Sequence, residues 1–177
     1  MAGSGRARLR LNGLLLLLVC GLGGLAWWFS VQQQSRADLL FTGDYDSINL
    51  LTLERSADVT GVGKIRFEKN GDNWLMVAPH QRAANLTRIR QLFTFINEPV
   101  TATYDSAGMD LAQYGLKPGR LTLRFNNHQF VLGAMNTVSG NRYVLHENKV
   151  KLVSEAVYGL ATGNWEAFVM PDTIGSD

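Results

Sequence analysis

The stretch Lys64-Ile65-Arg66-Phe67-Glu68-Lys69-Asn70-Gly71-Asp72-Asn73-Trp74-Leu75-Met76-Val77 decides the fold. Charged and apolar residues alternate from Lys64 to Glu68, which sets Ile65 and Phe67 on one face of a strand. Asn70-Gly71 then supplies two residues that tolerate positive φ, and a second β-rich run follows. That combination predicts an antiparallel hairpin. On the return strand Trp74 and Met76 share a face, because side chains alternate along a strand. Pro79 ends that strand.

The period then changes. Leu86, Ile89, Phe93 and Ile96 recur at spacings of 3, 4 and 3. This predicts an amphipathic helix over residues 85–97, with Asn85 as N-cap. Trp74 and Met76 are expected to lie under Leu86, Ile89 and Phe93, which makes Trp74 a core anchor. Phe95 falls off this stripe, beside Arg88 and Gln91. An off-stripe aromatic usually flanks the core; otherwise Phe95, with Arg88 and Gln91, marks a candidate partner contact.

Further from the hairpin, residues 48–55 and 100–104 read as strands. Asp110-Leu111-Ala112-Gln113 has the capping-box pattern, Gly115 fits a left-handed C′ position and Pro118 blocks continuation, so one short helical turn is expected there. Residues 120–125 and 129–132 form a second hairpin around Asn126-Asn127-His128. Residues 142–146 and 150–153 form a third around Glu147-Asn148-Lys149, and Ser154 caps a last helix over 155–161. Trp165, Phe168, Val169 and Met170 are expected to seal the domain. The predicted class is α+β: antiparallel hairpins or meanders with two packed helices, in two β-meander-plus-helix modules.

A transmembrane helix is expected to precede this domain. Residues 14–31 carry no charge and only Ser30 as a hydroxyl. As a helix they would span about 27 Å, close to a hydrocarbon core of about 30 Å. Arg6, Arg8 and Arg10 come before the run and Trp27 and Trp28 close it, which predicts a membrane anchor with a cytoplasmic N-terminus. Ser35-Arg36-Ala37 is a poor signal-peptide cleavage site, and the run is long enough to stay as an anchor. Lipidation at Cys20 would strand nine mostly apolar residues outside the membrane. A mitochondrial presequence would be amphipathic, and this run is apolar all round. The expected organisation is a cytoplasmic basic segment (1–13), a transmembrane helix (14–31), a linker (32–37), a periplasmic domain (38–170) and a flexible tail (171–177). The expected location is a bacterial inner membrane.

Composition narrows the function classes. The chain has 177 residues, 46% hydrophobic and 18% charged, which is globular. One cysteine excludes a disulfide framework and a cysteine-based zinc site. The formal charge is +2, but three of the 17 cations precede the apolar run and every acid follows it, so the domain is close to neutral. No basic stripe interleaved with aromatics occurs, which argues against nucleic acid as a partner.

The three histidines, His80, His128 and His146, have no helical i,i+3 or i,i+4 spacing to another ligand type. They read as polar surface residues, with no metal site. His146 precedes Glu147, but neighbours on a strand face opposite ways. The close acids Asp44 and Asp46, and Asp105 and Asp110, read as turn formers and caps. Gly61-Val62-Gly63-Lys64 lacks the spacing of a phosphate-binding loop, and Asn85-Leu86-Thr87 is a sequon placed at a helix start. No catalytic residue and no cofactor is expected.

Three clusters carry a family resemblance. They are Asp72-Asn73-Trp74-Leu75-Met76-Val77-Ala78-Pro79 with Ala84-Asn85 opening a helix, Tyr114-Gly115-Leu116-Lys117-Pro118, and Leu132-Gly133 followed by Gly140-Asn141-Arg142-Tyr143-Val144 and Val150. In this order they resemble the domain-of-unknown-function family numbered 4340, over residues 48–161. The resemblance implies a membrane-anchored periplasmic domain, in some members beside gliding-motility-type ABC transport proteins. It transfers no catalytic residue.

The expected function is that of an accessory or scaffold protein of an envelope complex, with the bilayer and other membrane or periplasmic proteins as partners. A periplasmic lipid- or glycan-binding domain is the alternative and would need an apolar or aromatic-lined cavity. An unrecognised hydrolase is the second alternative and would need converging titratable groups.

Overall fold

The computed structural model describes residues 13, 15–25, 28, 38–56 and 63–171. The chain divides into two compact units, Met1–Ala37 and Asp38–Asp177. In the first, residues 13, 15–25 and 28 are helical, and Leu15, Leu16, Leu17, Leu18, Val19, Leu22, Leu25 and Trp28 are all exposed. Among the described residues no helix is long and apolar enough to cross a membrane. Arg6, Arg8, Arg10, Trp27, the linker expected over 32–37 and the tail beyond Pro171 lie outside the described residues.

The second unit is α+β and holds a nine-stranded antiparallel sheet. Its strands are β1 (Leu50–Arg55), β2 (Lys64–Asn70), β3 (Asn73–Ala78), β4 (Arg82–Ala83), β5 (Ala102–Asp105), β6 (Leu121–Phe125), β7 (His128–Met135), β8 (Arg142–His146) and β9 (Lys149–Val153). Their spatial order is β4-β3-β2-β1-β6-β7-β8-β9-β5. Strands run outward in chain order from the central β1·β6 pair, and β5 lies at the far edge. The helices are α1 (Leu86–Thr94) and α2 (Ala156–Ala161), with 3-10 turns at Tyr45–Ser47, Phe95–Asn97 and Trp165–Phe168.

All three expected hairpins are present, each closed by a two-residue turn whose first residue has positive φ: Gly71 (59°), Asn126 (53°) and Glu147 (54°). The first turn is therefore Gly71-Asp72, one residue later than expected, and Asn70 pairs with Asn73. Glycine at the first position suits the backbone twist of a tight hairpin. Asn85 caps α1, its side chain accepting from the N–H groups of Thr87 and Arg88. The Ser154 hydroxyl accepts from the Ala156 N–H ahead of α2. The segment over 110–116 forms hydrogen-bonded turns and not a helix. Asp110 does cap it, accepting from Ala112 N–H, and Gly115 takes φ +63°. β4 is two residues long and carries no periodic signal.

The front face of the sheet carries the main core. Leu51, Leu53, Ile65, Phe67, Met76, Leu123, Phe125, Phe130, Leu132 and Val144 are buried there against α1. Trp74 is buried with its ring 5.6 Å from that of Phe93, as its strand position predicts. Phe93 also meets Phe125 at 5.5 Å, and Phe95 meets Phe130 edge-on at 5.6 Å.

Phe95 is therefore corrected from a candidate partner contact to a core residue, with 0% exposure. The buried stripe includes Leu92 as well as Ile89 and Ile96. At about 100° per residue this moves the centre of the stripe from Ile89 toward Phe95. The tighter 3-10 turn that starts at Phe95 ends the regular helix at the same point.

Residues 38–41 run along the end of this core. Leu40 is buried, its N–H donates to Glu98 O (2.9 Å), Phe41 N–H donates to Ile96 O (3.0 Å), and Val100 N–H donates to Asp38 O (2.8 Å). Lys151 Nζ donates to Leu40 O at 2.9 Å.

Candidate ligand-binding cleft

The back face is covered only in part. Over β1, β2 and β6 it presents Lys64, Arg66, Glu68 and Arg124 to solvent, tied by Lys64–Glu54 (3.0 Å) and Arg66–Glu68 (2.7 Å) ion pairs. Exposed pairs of this kind contribute little. Over β7, β8 and β9 the same face is buried. Val131 and Val150 form a second small core with Leu116, ringed by Met109, Leu111, Tyr114, Tyr143 and Leu145.

The irregular segment over 106–120 is held onto this pad by close backbone contact. Ala134 N–H donates to Tyr114 O at 2.7 Å, and Arg120 N–H donates to Leu132 O at 3.2 Å. A Cβ on Gly133 would collide with the Tyr114 carbonyl oxygen and Leu116, and one on Gly119 would collide with Val131. Glycine at both positions lets the segment lie on the strand.

Where the segment meets the β5 edge, Tyr104, Met109, Tyr114 and Tyr143 line a cleft of about 250 Å³. The rings of Tyr114 and Tyr143 stand at 68° with centroids 4.9 Å apart. Asn136 Nδ2 donates to the Tyr143 hydroxyl at 2.8 Å, which fixes that ring. Tyr104 is 47% exposed at the rim. The lining is three tyrosines and one methionine.

No family model, curated protein or solved structure matches the chain.

The residues singled out from the sequence are brought together only in part. Arg88 and Gln91 meet each other, Nη1 to Oε1 at 3.2 Å, on the outer side of α1, while Phe95 faces inward. His80 is exposed and its ring lies 4.7 Å from that of Trp165. His146 is buried and not on the surface: its ring stacks on Phe130 at 4.1 Å and Nδ1 lies 2.9 Å from Gln129 O. Exposed His128 approaches it to 6.2 Å, and Glu147 comes within 3.9 Å of Nε2 because the turn bends back at that residue. With Asn127 and Gln129 they line a shallow cleft of about 200 Å³. Among the described residues no group of three or more His, Cys, Asp or Glu is placed to hold a metal ion.

Sequence reasoning passed over two buried arginines. Arg142 makes a two-pronged pair with Glu155, both contacts at 2.6 Å, and stacks 3.5 Å over the Tyr158 ring. Its Nη1 donates to Gly133 O. Arg55 donates from Nη2 to Ala161 O (2.9 Å) and Gly163 O (2.5 Å), and burial lowers its pKa. Both arginines bind the α2 segment to the sheet. The cleft tyrosines were also missed as a group, because the loop that assembles them has no periodic signal.

Proposed function

We propose that the chain is a single-pass, membrane-anchored accessory or scaffold protein of a bacterial envelope complex. Its N-terminus is cytoplasmic, its sheet domain periplasmic, and its role non-enzymatic. The observation that carries this reading is the exposed helix of the first unit. Leu15 to Leu18 are all exposed, and four successive residues cover nearly every side of a helix. Such a surface is unfavourable in water by about 25 cal/mol per Å² of apolar area, and hydrocarbon removes that cost. The resemblance to family 4340 supports an ABC-type transport protein as the partner. A periplasm-active reporter fused after Asp177 should be active, and the chain should stay in the membrane fraction in alkaline carbonate. Activity of a cytoplasm-only reporter at that site, or release by carbonate, would count against the anchor.

A second reading is favoured by a separate observation. The cleft of Tyr104, Met109, Tyr114 and Tyr143 supports a ligand-binding role for the domain. Saturable binding of a small ligand that depends on Tyr104 would bear on this reading alone.

A further inference from the structure

We propose that the tyrosine cleft binds a quaternary ammonium group, the trimethylammonium of a choline-like molecule or headgroup. The inference rests on the ligand-binding reading above and names its ligand class. Side chains from three parts of the fold converge on the cleft: Tyr104 from β5, Met109 and Tyr114 from the loop, and Tyr143 from β8. The face of an aromatic ring carries negative potential and attracts a cation, and several such faces make a cage for methylated ammonium.

Ring geometry favours this guest over a sugar. A pyranose stacks flat on a ring or between parallel rings. Tyr114 and Tyr143 instead pack edge to face at 68°, so they offer no parallel pair for a flat ring, while a rounded group needs none. Charge agrees. Among the described residues no Lys or Arg lines the cleft. Lys149 and its partner Asp105 point to the front face, because Asp105 pairs with Lys149 in the register that leads through His146 to Phe130. Tyr104, paired with Val150, points to the back. Size agrees too. About 250 Å³ lies below the roughly 300–1,000 Å³ of sites for drug-sized ligands, so one compact group is accommodated.

The test uses the full chain in a polyoxyethylene detergent, which carries neither sugar nor ammonium. Calorimetric titrations compare choline with its uncharged isostere 3,3-dimethylbutanol and with methyl glucoside. Choline should bind saturably and about tenfold tighter than the isostere, from the cation–ring attraction alone. Tyr104→Ala, at the exposed rim, should weaken choline by about fivefold or more while Tyr104→Phe retains it. Reconstitution then separates the sources. Choline binding suppressed in phosphatidylcholine vesicles but kept in phosphatidylglycerol vesicles assigns the lipid headgroup, and equal binding in both assigns a free molecule. Equal affinity for choline and the isostere, or binding of methyl glucoside alone, would overturn the ammonium assignment and leave a binding cleft. No saturable binding of any probe would overturn both.

Discussion

The two faces of the sheet bury their apolar residues by different means. On the front, α1 lays a regular stripe over alternating strand residues, and Trp74, Phe93, Phe125, Phe130 and Phe95 form a continuous aromatic chain. On the back, three buried residues, Leu116, Val131 and Val150, are sealed by a loop. The front depends on side-chain volume. The back depends on the absence of side chains at Gly133 and Gly119, which lets one backbone rest on another. A binding cleft belongs with the second kind, because loops can place side chains from distant positions on a rigid strand platform.

The sharpest way to break this contrast is Trp74→Ala. Removing a buried tryptophan costs about 3–5 kcal/mol, a large share of a domain's typical stability. Denaturant unfolding should show that loss, and an unchanged midpoint would remove Trp74 from the core. Gly133→Ala should come next, at about 1–3 kcal/mol, because the added methyl overpacks the loop contact. It should also abolish any ligand binding at the tyrosine cleft, whereas Trp74→Ala in the surviving folded fraction should not. Glu147→Gly should stabilise by about 0.5–1 kcal/mol, since it relieves a left-handed backbone at the cost of some chain entropy. A loss of stability there would mean that the Glu147 carboxylate matters to His146.

The smallest effects concern pH, and the two regions should differ in sign. Glu98 lies beside Leu40 at the front core, and burial raises its pKa. Its folded form takes up a proton more readily, so stability should rise as pH falls from neutral through that raised pKa. Glu98→Gln should remove this slope. Asp105 is exposed at the β5 edge and its pKa is lowered, first by the Ala107 N–H and then by Lys149. Its contribution is present above the ordinary carboxylate range and lost as pH falls through the depressed pKa. Asp105→Asn should flatten that acid-side loss, measured as the melting temperature against pH.

Regular elements were the most legible from sequence. Alternation around Phe67, the helical spacing around Ile89 and the turn residues of three hairpins each report a local rule. Phe95 lies off the stripe of Leu86, Ile89, Phe93 and Ile96, and the buried side turns toward it only when Leu92 is counted. His146 and Arg142 could have been recognised: both share a strand face with buried Val144, so alternation places them inside. The cleft lay beyond such reasoning. Tyr104, Tyr114 and Tyr143 are brought together by strand order and by a glycine contact, neither of which leaves a period in the chain.

The way residues 38–41 are fastened has a mechanical consequence. Any pull on the domain through its N-terminal side reaches Asp38 first. Val100 N–H, bonded to the Asp38 carbonyl, and the Leu40 and Phe41 N–H groups, bonded to Glu98 and Ile96, take that load together. Lys151 adds a tie from β9 to the Leu40 carbonyl, and the fully buried Leu40 side chain would have to leave the core before the segment could peel away. Tension would therefore be delivered to the 3-10 turn that follows α1 and to the segment that leads from it into β5.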